Sequence, residues 1–550
     1  MLLQTPLLFS RCIERLSPAR VEVDTFQSLN PGPAPNLPRY LDPKQTSQLM
    51  KQHTRRTILG APSLAWLGSV VSSCASESRP DRRSDVTVRV AMPNDVAHAT
   101  RIERALELQQ LRGEALRPGV TIETVPIPDG PNSWTADDTA RTSALERVLA
   151  SGAPIDVIWT PHIDIADLHL GGRLRTLDDL VKRDRVDLKA FMPQALRSGI
   201  SPDIGLLALP EEIEGRQLYF RTDHFSEAGL DYRRTGFDFE RPAITWEALR
   251  RTAISLEGAP AARSRVSFDP GHESLTGIVL AWQSGAPDLT VPIPTELPRQ
   301  ESLKRASTEA FSWIASIARE LGSQLPYRNI SWPSVSRTGI SSSVHGLAGI
   351  LPDDMSRHPF ISGKASICIE SSRFVSSILS HDDGLPFRVV ETPRRDDGSS
   401  VIGWADVWGY SMLRGGSDDG WDLLKYLTGE DAAYASARGV ASQLPAVSDP
   451  GSRSRKPSDL PGGPRRWFPP FSGRLALDRF MTQNYRSGIK IIDEANDHAL
   501  EQLRHAHVWP FQAGSRRWLG AIETVRRAVV RDGMDPRTAI DQARTLFFAR

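Results

Sequence analysis

The chain has 550 residues, 39% of them hydrophobic and 24% charged, with a formal net charge of +1. This composition describes a soluble globular protein long enough for two separate cores, and it excludes a disordered tail or a repeat array. Residues 1–73 hold eight Lys/Arg and four Asp/Glu, so the rest of the chain carries 59 basic and 62 acidic side chains, and a slightly acidic body argues against nucleic acid as a partner.

Residues 1–49, with the Pro-rich "NPGPAPNLP", read as an unstructured extension or a mis-assigned start, because Met50-Lys51 would open a conventional basic n-region. Thr54-Arg55-Arg56-Thr57-Ile58-Leu59 resembles a twin-arginine export signal, with Arg55 and Arg56 as the paired arginines. The uncharged run "ILGAPSLAWLGSVVSS" that follows is too short and too diluted by small residues for a membrane span and suits a signal-peptide core. It ends in Val71-Ser72-Ser73-Cys74, which resembles a lipobox whose thiol, on Cys74, accepts lipid. Residues 50–73 are therefore expected to be an export signal and residues 74–85, polar and without periodicity, a tether. Cys368 is the single cysteine beyond Cys74, so the body can form no internal disulfide.

From residue 86 the pattern becomes regular. "VTVRVAMP" alternates valines with polar residues as a half-buried strand does, "ATRIERALELQQLRG" has helical spacing, and "VTIETVPIP" is again strand-like. A helix over "ARTSALERVLASG" leads into the apolar strand "PIDVIWT", and this alternation predicts a parallel sheet covered by helices. Further on, Leu218, Tyr219 and Phe220 read as strand, "DHFSEAGL" as a short helix stopped by Gly229, and "ITWEALRRTA" as a helix with Thr245 at its N-cap. Leu519, Ile522, Val525 and Val529 form the apolar stripe of a later helix, and Asp535-Pro536 is a cap and first-turn pair for the last one. The Pro/Gly-rich stretch 451–473 has no assignable structure.

The order of several segments resembles a known family. "DVIWTPHIDIADLHLGGRLRTLDDL", "LLALPEEIEGRQLYFRTDHFSEAGLD", "TWEALRR", "FISGKASICIESSRF", "GWADVWGYSML" and the closing "RWLGAIETVRRAVVRDGMDPRTAIDQA" together resemble the extracellular solute-binding proteins of family 1, the sugar type, which serve ABC transporters. Phe220-Arg221-Thr222 departs from the Tyr-Asn-Lys usual in that family. The resemblance implies a type II periplasmic-binding-protein-like α/β fold, two lobes joined by a hinge with the ligand cleft between them. It implies residues 86–218 as lobe 1, 219–402 as lobe 2, 403–446 as the return to lobe 1 and 447–550 as the C-terminal helices of lobe 2. It further implies a carbohydrate ligand, ABC-transporter permease subunits as partners, membrane attachment through lipid on Cys74 on the extracytoplasmic face, a monomer, and no catalysis.

Candidate ligand residues follow from two considerations. Ligands of open α/β sheets collect where strands end, which selects Asn94 and Asp95 after the first strand, and Trp159, His162 and Asp164 at the end of the third. Sugars also present an apolar C–H face to indoles and hydroxyls to carboxylates, which adds Glu211 and Glu212 at the lobe junction and Trp404 and Trp408 in the return crossing, while the resemblance implies an aromatic in the cleft near Trp518 and, similarly, Phe374. Trp246 and Trp421 sit on helices with apolar faces and are expected in the core. No phosphate-cradling Gly-rich loop, Gly-x-Ser-x-Gly elbow or zinc-spaced His/Cys set occurs, so neither a metal nor a cofactor is expected. An anchored polysaccharide hydrolase or lyase, or a sensory binding protein reporting to a membrane receptor, are the competing readings.

Overall fold

The computed structural model describes most of residues 86–548. Residues 1–85, 128–147, 286–296, 322–357, 397–402, 444–470 and 485–489, with several shorter stretches between elements, lie outside the described residues. The export signal with Arg55, Arg56 and Cys74, the tether, Asn94, Asp95 and nearly all of the 451–473 stretch fall outside.

The strands in chain order are β1 (Val86–Met92), β2 (Val120–Pro126), β3 (Val157–Pro161), β4 (Ile200–Ser201), β5 (Gly205–Leu206), β6 (Ala208–Arg221), β7 (Val266–Phe268), β8 (Ala365–Ser371), β9 (Phe387–Glu391), β10 (Gly403–Met412) and β11 (Ala506–Val508). Among the described residues nine of these form one mixed sheet in the order β2-β1-β3-β10-β6-β8-β7, with β11 on β10 and β9 on β6. The alternating valines of β1 place Val88 and Val90 in the core, and β1 pairs in parallel with both β2 and β3. The parallel expectation holds at that edge, and β7 with β8 and β10 with β11 are parallel too, but β10 pairs antiparallel with β3 and β6 pairs antiparallel with β10. Helix connections favour parallel neighbours; two long strands returning from elsewhere in the chain impose the opposite direction.

Those two strands organise everything else. β6 pairs with β10 through Ala208–Gly215 and then with β8 and β9 through Arg216–Arg221. β10 likewise pairs with β11 through Gly403–Ala405 and with β3 through Trp408–Met412. Each strand therefore changes partner near its middle and joins two parts of the sheet with different surroundings. At one end Leu209, Trp408, Tyr410 and Met412 join a core with Val88, Val90 and Trp421. At the other end Leu218, Phe220 and Trp404 join a core with Phe225, Trp246 and Trp282. The expected core positions of Trp246 and Trp421 are thus observed.

Local sequence signals are realised where they depend on neighbours in the chain. Thr245 Oγ1 accepts from the Ala248 N–H at 3.1 Å and starts helix Trp246–Glu257, and Asp535 Oδ2 accepts from the Thr538 N–H at 3.0 Å to start helix Pro536–Phe548. Gly229, at φ 69°, ends the short helix Thr222–Glu227, a conformation open to glycine at no steric cost. Leu519, Ile522, Val525 and Val529 of helix Ser515–Val530 are buried in the second core.

Candidate ligand site between the two cores

Residues opposite one another in an antiparallel pair share a face, and alternate residues along a strand return to it. Tyr410 stands opposite Leu209, Trp408 opposite Glu212 and Asp406 opposite Glu214. One face of the β6/β10 pair is therefore apolar at the first core, charged across Glu212, Glu214, Arg216 and Asp406, and apolar again at Trp404, Leu218 and Phe220. The other face carries Ile213, Ala405 and Val407, packed by Phe471, Leu500 and Leu503 without any such interruption. The charged band thus marks the place where the two cores part.

A register shift between Trp408 and Gly409 leaves Glu211 as an extra residue in β6, and such a bulge re-aims a side chain. Gly409 permits the close approach there: a Cβ on it would lie 2.3 Å from the Leu209 carbonyl oxygen. Glu211 is 1% exposed and takes Arg101 Nη1 at 2.7 Å, His98 Nε2 at 3.6 Å and the Trp159 indole N–H. Burial pushes its carboxyl up, but Arg101 foremost, then His98 and Trp159, outweigh burial and hold it below the usual range, so it is ionised at pH 7. Arg101 Nη2 also lies 3.7 Å from Glu212, and Nη1 donates to the Leu427 carbonyl at 2.9 Å.

Across the band Arg216 Nη2 meets Asp406 Oδ2 at 3.0 Å and Nη1 meets Glu214 at 3.6 Å, while Ser371 Oγ donates to Glu214 at 2.8 Å. Trp404 Nε1 donates to Asp406 Oδ1 at 2.7 Å. Stacked indoles flank the charges on both sides. Trp159 and Trp408 stack at 6.3 Å with planes 7° apart, and Trp404 and Trp282 stack at 5.3 Å with planes 16° apart.

His162 fills the gap where β10 has left β11 and not yet reached β3. Its Nδ1 lies 3.0 Å from the Val407 carbonyl oxygen and 3.2 Å from the Val407 N, and among the described residues its Nε2 is buried without a hydrogen-bond partner. Burial drives the imidazole below its ordinary pKa, against the opposing pull of Asp406, of the Val407 backbone and of Asp164, so the ring is neutral at pH 7. Asp164 is buried in the first turn of helix His162–Leu170.

Trp159, Glu211, Glu212 and Trp408 are therefore brought together, with His162 beside Val407 of β10 and Trp404 further along that strand. Phe374 is placed elsewhere, in an aromatic cluster with His358 at 4.5 Å and Tyr219 at 5.1 Å. Trp518 is half-buried against the core that contains Trp404. Glu211 and Glu212, expected at the lobe junction, lie inside a strand whose every residue is buried. Sequence reasoning passed over His98, Arg101, Glu214, Arg216, Trp282 and Asp406. The alternation Glu212, Glu214, Arg216 was the available signal, since charges at every second position put one charged face on a strand. Chemically the band offers carboxylate acceptors and guanidinium donors between indole faces. Among the described residues no group of three or more His, Cys, Asp or Glu side chains is arranged to hold a metal ion.

No protein-family model matches the sequence, and no curated protein matches it. Solved structures do. CpMnBP1 with mannobiose bound superposes with a TM-score of 0.57 at 16% identity, covering 84% of this chain and 100% of its own. A solute-binding protein of an ABC transporter from Thermotoga lettingae TMO, bound with alpha-D-tagatose, gives 0.54 at 14% identity, over 84% and 98%. The GacH receptor of Streptomyces glaucescens, solved unliganded and with acarbose, gives 0.55 at 14% identity, over 85% and 99%. The chain has the α/β fold of these binding proteins, the type II arrangement of two lobes joined by a hinge with a cleft between them.

Proposed function

We propose that this chain is an extracytoplasmic solute-binding protein that captures a carbohydrate between two lobes for an ABC importer. The observation that carries the reading is the charged band of β6 and β10, walled by stacked indole pairs, at the point where the two cores part. Pyranoses need such a combination, because their C–H faces lie on aromatic rings while their hydroxyls require polar partners. Support comes from the shared fold, since proteins of that fold have been solved with mannobiose and alpha-D-tagatose bound. Residues 86–218 with the return 403–446 form lobe 1, and residues 219–402 with 447–550 form lobe 2. The ligand residues are drawn from Trp159, His162, Asp164, Glu211, Glu212, Trp404 and Trp408, with Asn94, Asp95, Phe374 and Trp518 as outlying candidates. The protein acts without chemistry of its own, as a monomer held by lipid on Cys74 after export directed by Arg55 and Arg56.

A saccharide panel of mannobiose, tagatose, acarbose and maltotetraose, extended to polyols and sugar phosphates, tests the binding reading. Saturable tryptophan fluorescence change with at least one compound is expected, and silence across the whole panel refutes it. Radiolabelled palmitate should enter the expressed chain and be lost in Cys74→Ala; label retained in that variant refutes the anchor.

A further inference from the structure

The two cores also exchange side chains at a second place, apart from β6 and β10. Helix His162–Leu170 continues directly from β3 and belongs with the first half of the sheet. Yet its Ile163, 1% exposed, is buried in the second core, whose other buried members all lie at Leu218 or beyond. The reverse insertion occurs one turn along. Phe511, ahead of helix Ser515–Val530 of the second half, packs on the cluster of Ile165, Leu168 and Leu174 in the first half.

Between these two insertions lies a polar contact. Asp167 Oδ1 accepts from the Gly514 N–H at 2.8 Å, and the Gly514 carbonyl accepts from the Trp518 N–H at 3.0 Å, which makes Gly514 the residue that opens the helix. A carboxylate there also faces the positive end of a 16-residue helix. Ile163 and Asp167 are four residues apart and share one helix face, so a single face makes both contacts.

We infer that Ile163, Asp167 and Phe511 form a clasp that holds the two lobes at a fixed angle before any solute binds. Opening of the cleft then requires breaking it. Apparent affinity for a solute scales with the fraction of molecules in the binding-competent arrangement, so the clasp sets that fraction. The inference rests on the two-lobed hinge of the proposed binding protein and not on the identity of its solute.

The test uses the full chain with Cys12→Ser, Cys74→Ser and Cys368→Ala, spin-labelled at Glu107→Cys and Arg251→Cys. These sites lie on helices of the two halves, with side chains 48% and 71% exposed. Without any ligand, the parent should give one narrow distance distribution. Asp167→Ala/Phe511→Ala should raise the ratio of a second population to the first about tenfold, the loss of one ring contact and one charged hydrogen bond. Asp167→Asn with Phe511 intact keeps an oxygen acceptor and should change the ratio by less than about twofold. Asp167 is exposed and Phe511 half-buried, so the variants are expected to fold, which melting curves check. A parent distribution as broad as the double variant's, or a double-variant distribution identical to the parent's, overturns the clasp. Neither result touches the carbohydrate reading, which the fluorescence panel decides separately.

Discussion

Replacing Arg101 with Met is the most searching perturbation of the band. Arg101 is 2% exposed and its guanidinium lies 2.7 Å from Glu211 and 3.7 Å from Glu212, both 1% exposed. Met preserves the length of the side chain but takes the guanidinium away from two neighbouring buried carboxylates, of which Glu211 keeps His98 at 3.6 Å. Breaking a buried ion pair by removing one partner costs about 3–5 kcal/mol, since the remaining charge is not resolvated. Against a total stability of about 5–15 kcal/mol, that is a large fraction. The pH dependence fixes the cause. In the parent, Glu211 titrates below its unfolded range, so its contribution is present above the unfolded pKa and is lost as pH falls through the folded one. Without Arg101 burial dominates and the folded pKa rises, so the variant instead loses stability as pH rises, and the gap to the parent widens from acid to neutral pH. Urea unfolding at several pH values, followed by fluorescence and far-UV circular dichroism, measures this. Arg101→Met/Glu211→Gln should recover more than half of the loss at pH 7. A single-variant cost under about 1 kcal/mol, or a double variant no more stable than the single, refutes the assignment of Arg101 as the counter-charge.

Asp478, fully buried, is pushed up to about 7 by burial, against hydrogen bonds from Ser472 and Gly473 and the charge of Arg474. A raised acid pKa means the folded state binds the extra proton, so stability should fall as pH rises from about 4 to about 7, by up to about 4 kcal/mol, and Asp478→Asn should flatten that limb of the urea midpoint curve. His224 titrates near 4, chiefly through burial; stability should instead fall as pH drops from about 6.5 towards 4, and His224→Gln should remove that slope. Gly409→Ala places a Cβ 2.3 Å from a backbone oxygen, which forces the bulge apart and should lower stability by more than about 2 kcal/mol in the same assay. Trp408→Ala should abolish the saturable fluorescence change with whichever saccharide gives one, and a preserved titration would remove Trp408 from the ligand set.

The sequence by itself determined what depends on near neighbours. The valine alternation of β1, the Thr245 and Asp535 caps and the stripe through Leu519, Ile522, Val525 and Val529 follow from periods of two and 3.6 residues and from side chains that reach backbone within three positions. Segment order was also enough to point to the right architecture. Tertiary structure decided the rest. Whether β10 runs with or against β3 is not encoded in either strand, because both directions satisfy the same alternation. Arg101 meets Glu211 across 110 positions only because a one-residue bulge in β6 turns that carboxylate toward helix Val96–Arg112. Trp159 was expected at a strand end and Trp404 and Trp408 in the return crossing; in this arrangement all three are buried, in stacked pairs. A large ring and a short charged side chain can each stand in a core or at a cleft, and only the packing of segments distant in the chain chooses between those environments.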